Sequence, residues 1–212
     1  MLLQADMLGC SYANKQREIE QGLDERCLHC RQPVPKTEEE CYQNFMKRVK
    51  VNDPVAIFKI GVKCEQEGDF EGAMQHWKTA ATLGEMDAHY NLSCMYREGR
   101  QGVEKDMKKA IYHAEEAAIG GHPEARFNLG CDEWSSGRYE RAYKHYIIAA
   151  KQGYSDALEP LKHGFQTTTY VNKEDYEAAL RGHQAAVDAT KSEQRDAAYV
   201  FNNWISQQRR RL

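Results

Sequence analysis

Apolar and polar positions alternate with helical spacing along most of the chain, and the pattern comes back three times. The first segment opens at Asp53 and carries Ala56, Ile60-Gly61, Gly68-Asp69-Phe70, Ala73, Trp77, Ala80-Ala81 and Gly84. The second carries Ala88, Leu92-Ser93, Tyr96, Gly99, Gly102-Val103, Asp106, Ala110, Ala114, Ala117-Ala118 and Gly121. The third carries Ala125, Leu129-Gly130, Gly137-Arg138-Tyr139, Ala142, Tyr146, Ala149-Ala150 and Gly153. The opening alanines 56, 88, 125 and 157 stand 32, 37 and 32 apart, and the Ala-Ala pairs at 80, 117 and 149 repeat the last two spacings. The surplus of the second segment falls between Arg97 and Asp106, a loop, where stacked repeats accept insertions.

Each segment predicts helix, turn, helix. Ala125, Leu129, Asp132 and Glu133 keep helical spacing up to Gly137, and a second helix opens near Arg138 with Ala142, Tyr146, Ala149 and Ala150 on one face. Gly84, Gly121 and Gly153 stand where a helix ends on a residue of positive φ. Small alanines let antiparallel helices approach closely, while Leu, Tyr and Trp fill the gaps between pairs. One pair cannot bury its own apolar face, so the pairs must stack. Trp77, Trp134, Tyr96, Tyr139 and Tyr146 are expected in the core. A degenerate fourth unit begins with Ala157 and Leu161 and takes its second helix from Val171 to Leu180, with Asn172 as N-cap, Tyr176 and Ala179 as core, and an end blurred by Gly182 and His183. Ser192 is expected to cap a closing helix carrying Ala198, Phe201 and Ile205.

The pattern A-x-x-x-L-G, a glycine turn, A-x-x-W or A-x-x-Y, A-A and a closing glycine resembles the Sel1-like repeat, a relative of the tetratricopeptide repeat. The second segment matches it best, through Tyr96, Gly99, Gly102-Val103, Asp106 and Lys109-Ala110. The resemblance implies an all-α, right-handed solenoid of stacked antiparallel helix pairs. Its units lie at about 53–86, 87–122, 123–155 and a degenerate 156–190, after a connecting helix or linker over 37–52 and before a capping helix and basic tail over 191–212. It also implies a protein-binding scaffold rather than an enzyme.

Residues 1–36 differ in character. Cys27-Leu28-His29-Cys30 is a C-x2-C knuckle with Cys10 upstream, and Ser11 to Leu23 between them has helical potential. Two thiolates so spaced can chelate one zinc, but a closed structural site needs four ligands. The stretch resembles the C-terminal half of a RING finger, a domain found ahead of Sel1-like repeats. Met7 stands where that family has a cysteine, and the first half of the domain is missing. A degenerate RING remnant without metal is therefore expected. The alternative is zinc held by Cys10, Cys27 and Cys30 in a ubiquitin-ligase component that recruits a ubiquitin-conjugating enzyme.

Composition adds limits. The net charge of −3 gives no electrostatic reason to expect nucleic acid or an anionic membrane as partner. No apolar run reaches spanning length, and Met1 to Leu8 lacks the basic region of a signal peptide, so an intracellular, cytoplasmic or nuclear protein is expected. Seven cysteines, an odd number, then read as thiols or ligands. Cys64, Cys94 and Cys131 read as core fillers. His76, His113 and His145 recur at one place in the repeats and read as repeat structure, and no nucleophile elbow, phosphate loop or H-E-x-x-H motif is present. Arg209-Arg210-Arg211 reads as a solvated end.

Stacked helix pairs present their first helices on a concave face. Lys59, Asn91 and Asn128 stand three residues after the opening alanines, and Lys63, Met95 and Asp132 one turn further on. In the related tetratricopeptide domains, Asn and Lys on first helices grip peptide backbone or carboxylates. The resemblance thus implies a peptide groove along this row, where an amide side chain donates and accepts at once. The alternative for Asn91 and Asn128 is a hydrogen bond to a neighbouring helix or cap.

Overall fold

Aspartates open the helices. In the computed structural model, which describes residues 37–99 and 102–191, Asp53 caps α2 (Pro54–Gln66) by accepting from the Ala56 N–H at 3.1 Å. Asp69 caps α3 (Phe70–Thr82) through the Gly72 N–H at 2.9 Å. Asp106 caps α5 (Met107–Ile119) through Lys108 and Lys109, both at 3.1 Å. At α6 (Pro123–Ser135) the cap is an imidazole, His122 Nδ1 accepting from Ala125 at 3.2 Å. Pro54 and Pro123 take first-turn positions, where no N–H is missed. The helix α4 (Met86–Glu98) starts without a side-chain cap and ends on Gly99 in the left-handed region. The glycines closing the second helices, Gly84, Gly121 and Gly153, have φ of 87°, 91° and 91°, as their place after the Ala-Ala pairs requires.

Ahead of these lies α1 (Glu38–Lys50), and behind them α7 (Tyr139–Lys151), a 3-10 turn at Ser155–Ala157, α8 (Leu158–Thr167) and α9 (Lys173–Thr190). The described residues contain no strand. Glu39–Gln184 form one compact unit; of the described residues, 37–38 and 185–191 belong to another. Within the first unit, α2 packs on α3, α4 on α5 and α6 on α7, while α3 meets α4 and α5 meets α6. This is an α-solenoid of helix pairs, each burying the face that its neighbour leaves open.

The alanine seam is closed completely. Ala56, Ala88, Ala125 and Ala157 are all 0% exposed, as are Ala80 and Ala149. In the first and third repeats, a small residue on the first helix faces a residue of compensating size on the second. A Cβ on Gly61 would lie 2.6 Å from the Trp77 indole, and one on Gly130 2.6 Å from the Tyr146 ring. Glycine is needed at both because an aromatic ring fills the space. In the middle repeat both equivalent positions are small, Ser93 on the first helix and Ala114 on the second, and no ring is placed there.

Several expectations change. Trp134 and Tyr139 are 38% and 40% exposed, not core. They flank the α6–α7 turn and pack edge to face on each other at 4.8 Å, and Tyr139 lies 6.1 Å from Tyr170 in the segment between α8 and α9. The last helix runs to Thr190, through Gly182 and His183, because Gly182 abuts Lys151 of α7, whose Cγ a Cβ would meet at 2.7 Å. Asn172 does cap it, accepting from the Asp175 N–H at 2.8 Å. Cys64, Cys94 and Cys131 are half-buried, and Cys64 lies two residues out of register with the other two. The expected helix over Ser11 to Leu23, the closing helix after Ser192 and the arginine tail lie outside the described residues.

Candidate binding face on the first helices

Along the predicted row, Lys59 is exposed, and Asn91 and Asn128 are half-buried. Among the described residues neither asparagine makes a side-chain hydrogen bond, so the alternative of a structural bond to a neighbouring helix does not hold. Two amides at equivalent positions of successive repeats keep their donors and acceptors available.

One turn further on, the row breaks. Met95 is 2% exposed and packs in the core with Leu92, Tyr96 and Val103, so it is removed from the binding row. The reason is register: on α4 the residue that follows Asn91 along the open face is Cys94, three on, and Met95 rotates inward. Lys63 lies over the Tyr42 ring at 4.5 Å and pairs with Glu67 at 3.8 Å. Asp132 is held by Arg97, whose guanidinium donates to both carboxylate oxygens at 2.5 and 2.8 Å. That bidentate pair ties α4 to α6 across the face, and the carboxylate raises the Arg97 pKa.

Sequence reasoning missed most of the face. Two residues after the opening alanines stand Tyr90 and Phe127, while Phe58 at the equivalent place in the first repeat is buried in the core, and one residue before them stand Val55, Asp87, Glu124 and Asp156. The helical period places the positions −1, +2, +3 and +6 on one side, so the signal was in the alignment. Tyr90 stacks on His122 at 4.3 Å, and Phe127 lies 5.2 Å from Tyr154. His122 Nε2 is 3.7 Å from Asp87. Burial, then Glu124 beside its hydroxyl, pushes the Tyr90 phenol well above its usual range. Burial with Glu124 and Asp156 nearby pushes Tyr154 up to about 12. Burial lowers the His122 pKa against the pull of Asp87 and Glu124, which keeps the ring neutral at pH 7.

A second polar cluster sits inside the middle repeat. His89 Nε2 lies 3.2 Å from the Ala81 carbonyl, and its Nδ1 lies 3.0 Å from His113 Nδ1. The carbonyl requires His89 to donate from Nε2, so His113 is the donor between the rings. Burial first, then His89 and Lys78, lower the His113 pKa to about 4. The regular histidines are thus structural in this repeat.

The described residues hold no group of three His, Cys, Asp or Glu placed to bind a metal ion. Cys10, Cys27, Cys30 and the RING-like stretch lie outside them. No described helix is long and apolar enough to cross a membrane.

The Sel1 repeat model matches residues 54–85, 87–122 and 123–154. Comparison with curated proteins finds no match. Among solved structures, a Sel1 repeat protein of Oxalobacter formigenes aligns at 24% identity and TM-score 0.59, covering 88% of this chain and 75% of that one. An immunity protein of Pseudomonas aeruginosa aligns at 17% identity and TM-score 0.55, covering 89% and 84%. A second immunity protein of that organism aligns at 16% and 0.53, covering 74% of this chain and 64% of its own length. At such identities the likeness shows the fold.

Proposed function

With three Sel1 repeats in the chain as premise, we propose that it is a non-catalytic scaffold that binds a peptide or partner protein on the face of its first helices. The observation that carries this reading is the pair Asn91 and Asn128, equivalent in successive repeats and half-buried with unengaged amides. An extended backbone presents alternating donors and acceptors, which such amides match. Lys59 continues the row toward the first repeat. The aromatic residues beside it supply contact area at low entropic cost. No group of metal-ligating side chains among the described residues competes with this reading.

Photocrosslinking tests it. A benzophenone side chain at position 91 should capture a partner from cell extract, one at the exposed Tyr112 on the second-helix side should not, and Asn128→Ala should suppress the capture. Equal capture from positions 91 and 112 would remove the face from consideration.

A further inference from the structure

The three carboxylates that stand one residue before the opening alanines, Asp87, Glu124 and Asp156, form one register column on the first-helix side. Their charge is poorly compensated. Among the described residues neither Glu124 nor Asp156 has an ion-pair partner, and Asp87 faces only His122 at 3.7 Å. Two cations of the first-helix row do not cancel them. Arg97 is committed to Asp132 through two hydrogen bonds. Lys59 belongs to the first repeat, where the column itself stops at Val55.

Two tyrosines stand beside the carboxylates. Tyr90, stacked on His122 at 4.3 Å, lies beside Glu124, and Tyr154, packed at 5.2 Å on Phe127, lies between Glu124 and Asp156. Carboxylates accept from a guanidinium or ammonium head, and a phenol ring attracts the same cation through its face. An acidic partner would meet like charge along the whole column, which costs affinity and on-rate.

We infer that the occupant of this face is an extended basic segment of a partner protein, its Arg or Lys heads seated on Glu124 and Asp156 against Tyr90 and Tyr154, and its backbone on Asn91 and Asn128. This rests on the scaffold reading and goes beyond it in fixing the sign of the partner's charge. It is opposite to what the tetratricopeptide resemblance implies, where Lys and Asn hold a carboxylate. Here one lysine, Lys59, stands at the end of the row, and the three carboxylates stand in the repeats that follow it.

Fluorescence polarisation on the full chain tests the inference with three labelled Gly-Ser decapeptides, carrying three arginines, three citrullines or three glutamates. The arginine peptide should bind at least about tenfold tighter than its neutral citrulline isostere, and more weakly as salt rises. Glu124→Gln and Asp156→Asn should each weaken it about tenfold, with unchanged helical circular dichroism. Asp156 is exposed, so its variant remains informative if Glu124→Gln folds poorly. Preference for the glutamate peptide, abolished by Asn91→Ala, would overturn the basic partner and leave the scaffold standing. Arginine-peptide binding indifferent to Glu124, Asp156, Asn91 and Asn128 alike would overturn both, as would failure of every peptide to bind at about millimolar concentration.

Discussion

The two sides of the first helices make opposite use of the same repeat. On the seam side each layer ends in side chains with no freedom: Ala88 and Leu92 are 0% exposed, and Gly61 and Gly130 admit no methyl group. On the open side the equivalent turns carry Asn91, Cys94, Asn128 and Cys131, all half-buried, with the two amides left available. The difference teaches where selection for stacking ends. The seam fixes the spacing of the repeats, and the open side carries groups that stacking does not engage.

Truncation on the seam should therefore give the largest effect. Leu92→Ala removes a side chain buried between helix pairs and should cost about 3–4 kcal/mol in urea unfolding. A loss below about 1 kcal/mol would show that the middle repeat closes over the cavity. Next comes the size match. Gly130→Ala should cost about 2 kcal/mol by driving a methyl into the Tyr146 ring. In a Tyr146→Leu background the same change should cost clearly less, and equal costs in the two backgrounds would remove the fit between ring and glycine.

Acid should weaken the interior of the middle repeat. His113 has a folded pKa near 4, below its ordinary value of 6.5. The unfolded chain therefore binds a proton that the fold refuses between those limits. Stability should be intact above pH 6.5, fall as the pH drops to about 4, and change no further from this group below that. Discounted for partial solvent access, the loss is about 1–2 kcal/mol, and His113→Gln should flatten that part of the pH profile.

The Arg97–Asp132 pair lies between the two regimes. Arg97→Ala should cost about 1 kcal/mol by leaving a partly buried carboxylate alone, and Arg97→Ala with Asp132→Ala should cost less than the sum of the single changes. Smallest of all, Asn91→Ala and Asn128→Ala should move stability by less than about 0.5 kcal/mol while abolishing partner capture. A large stability loss there would make the amides part of the fold and erase the contrast between the sides.

How far the sequence reached follows the same division. The stacking side could be read because it obeys one period: alanines at fixed spacing, glycines after the Ala-Ala pairs, a large ring opposite a glycine. The open side could not, because its residues share only a register. A displacement of one position exchanges Cys94 for the buried Met95, and alignment alone does not separate them. Trp134 and Tyr139 were misassigned for a related reason: their aromatic character fits a core, but they flank a turn, where each stays more than a third exposed. Gly182 was read as a break because glycine ends helices by default, whereas the nearness of Lys151 gives it a packing task.

What the sequence alone determined was the repeat, its length, its caps and the all-α stack, since each rests on local chemistry: a carboxylate accepting from the next turn, a glycine at positive φ, an apolar face that one pair cannot bury. Only the tertiary structure decided which turn of each first helix faces outward, that Arg97 takes up Asp132 from the next repeat, and that the acidic column lies against Tyr90 and Tyr154. Those facts depend on the rotation of one helix against another. That rotation is set by the summed packing of many side chains and by no residue in particular.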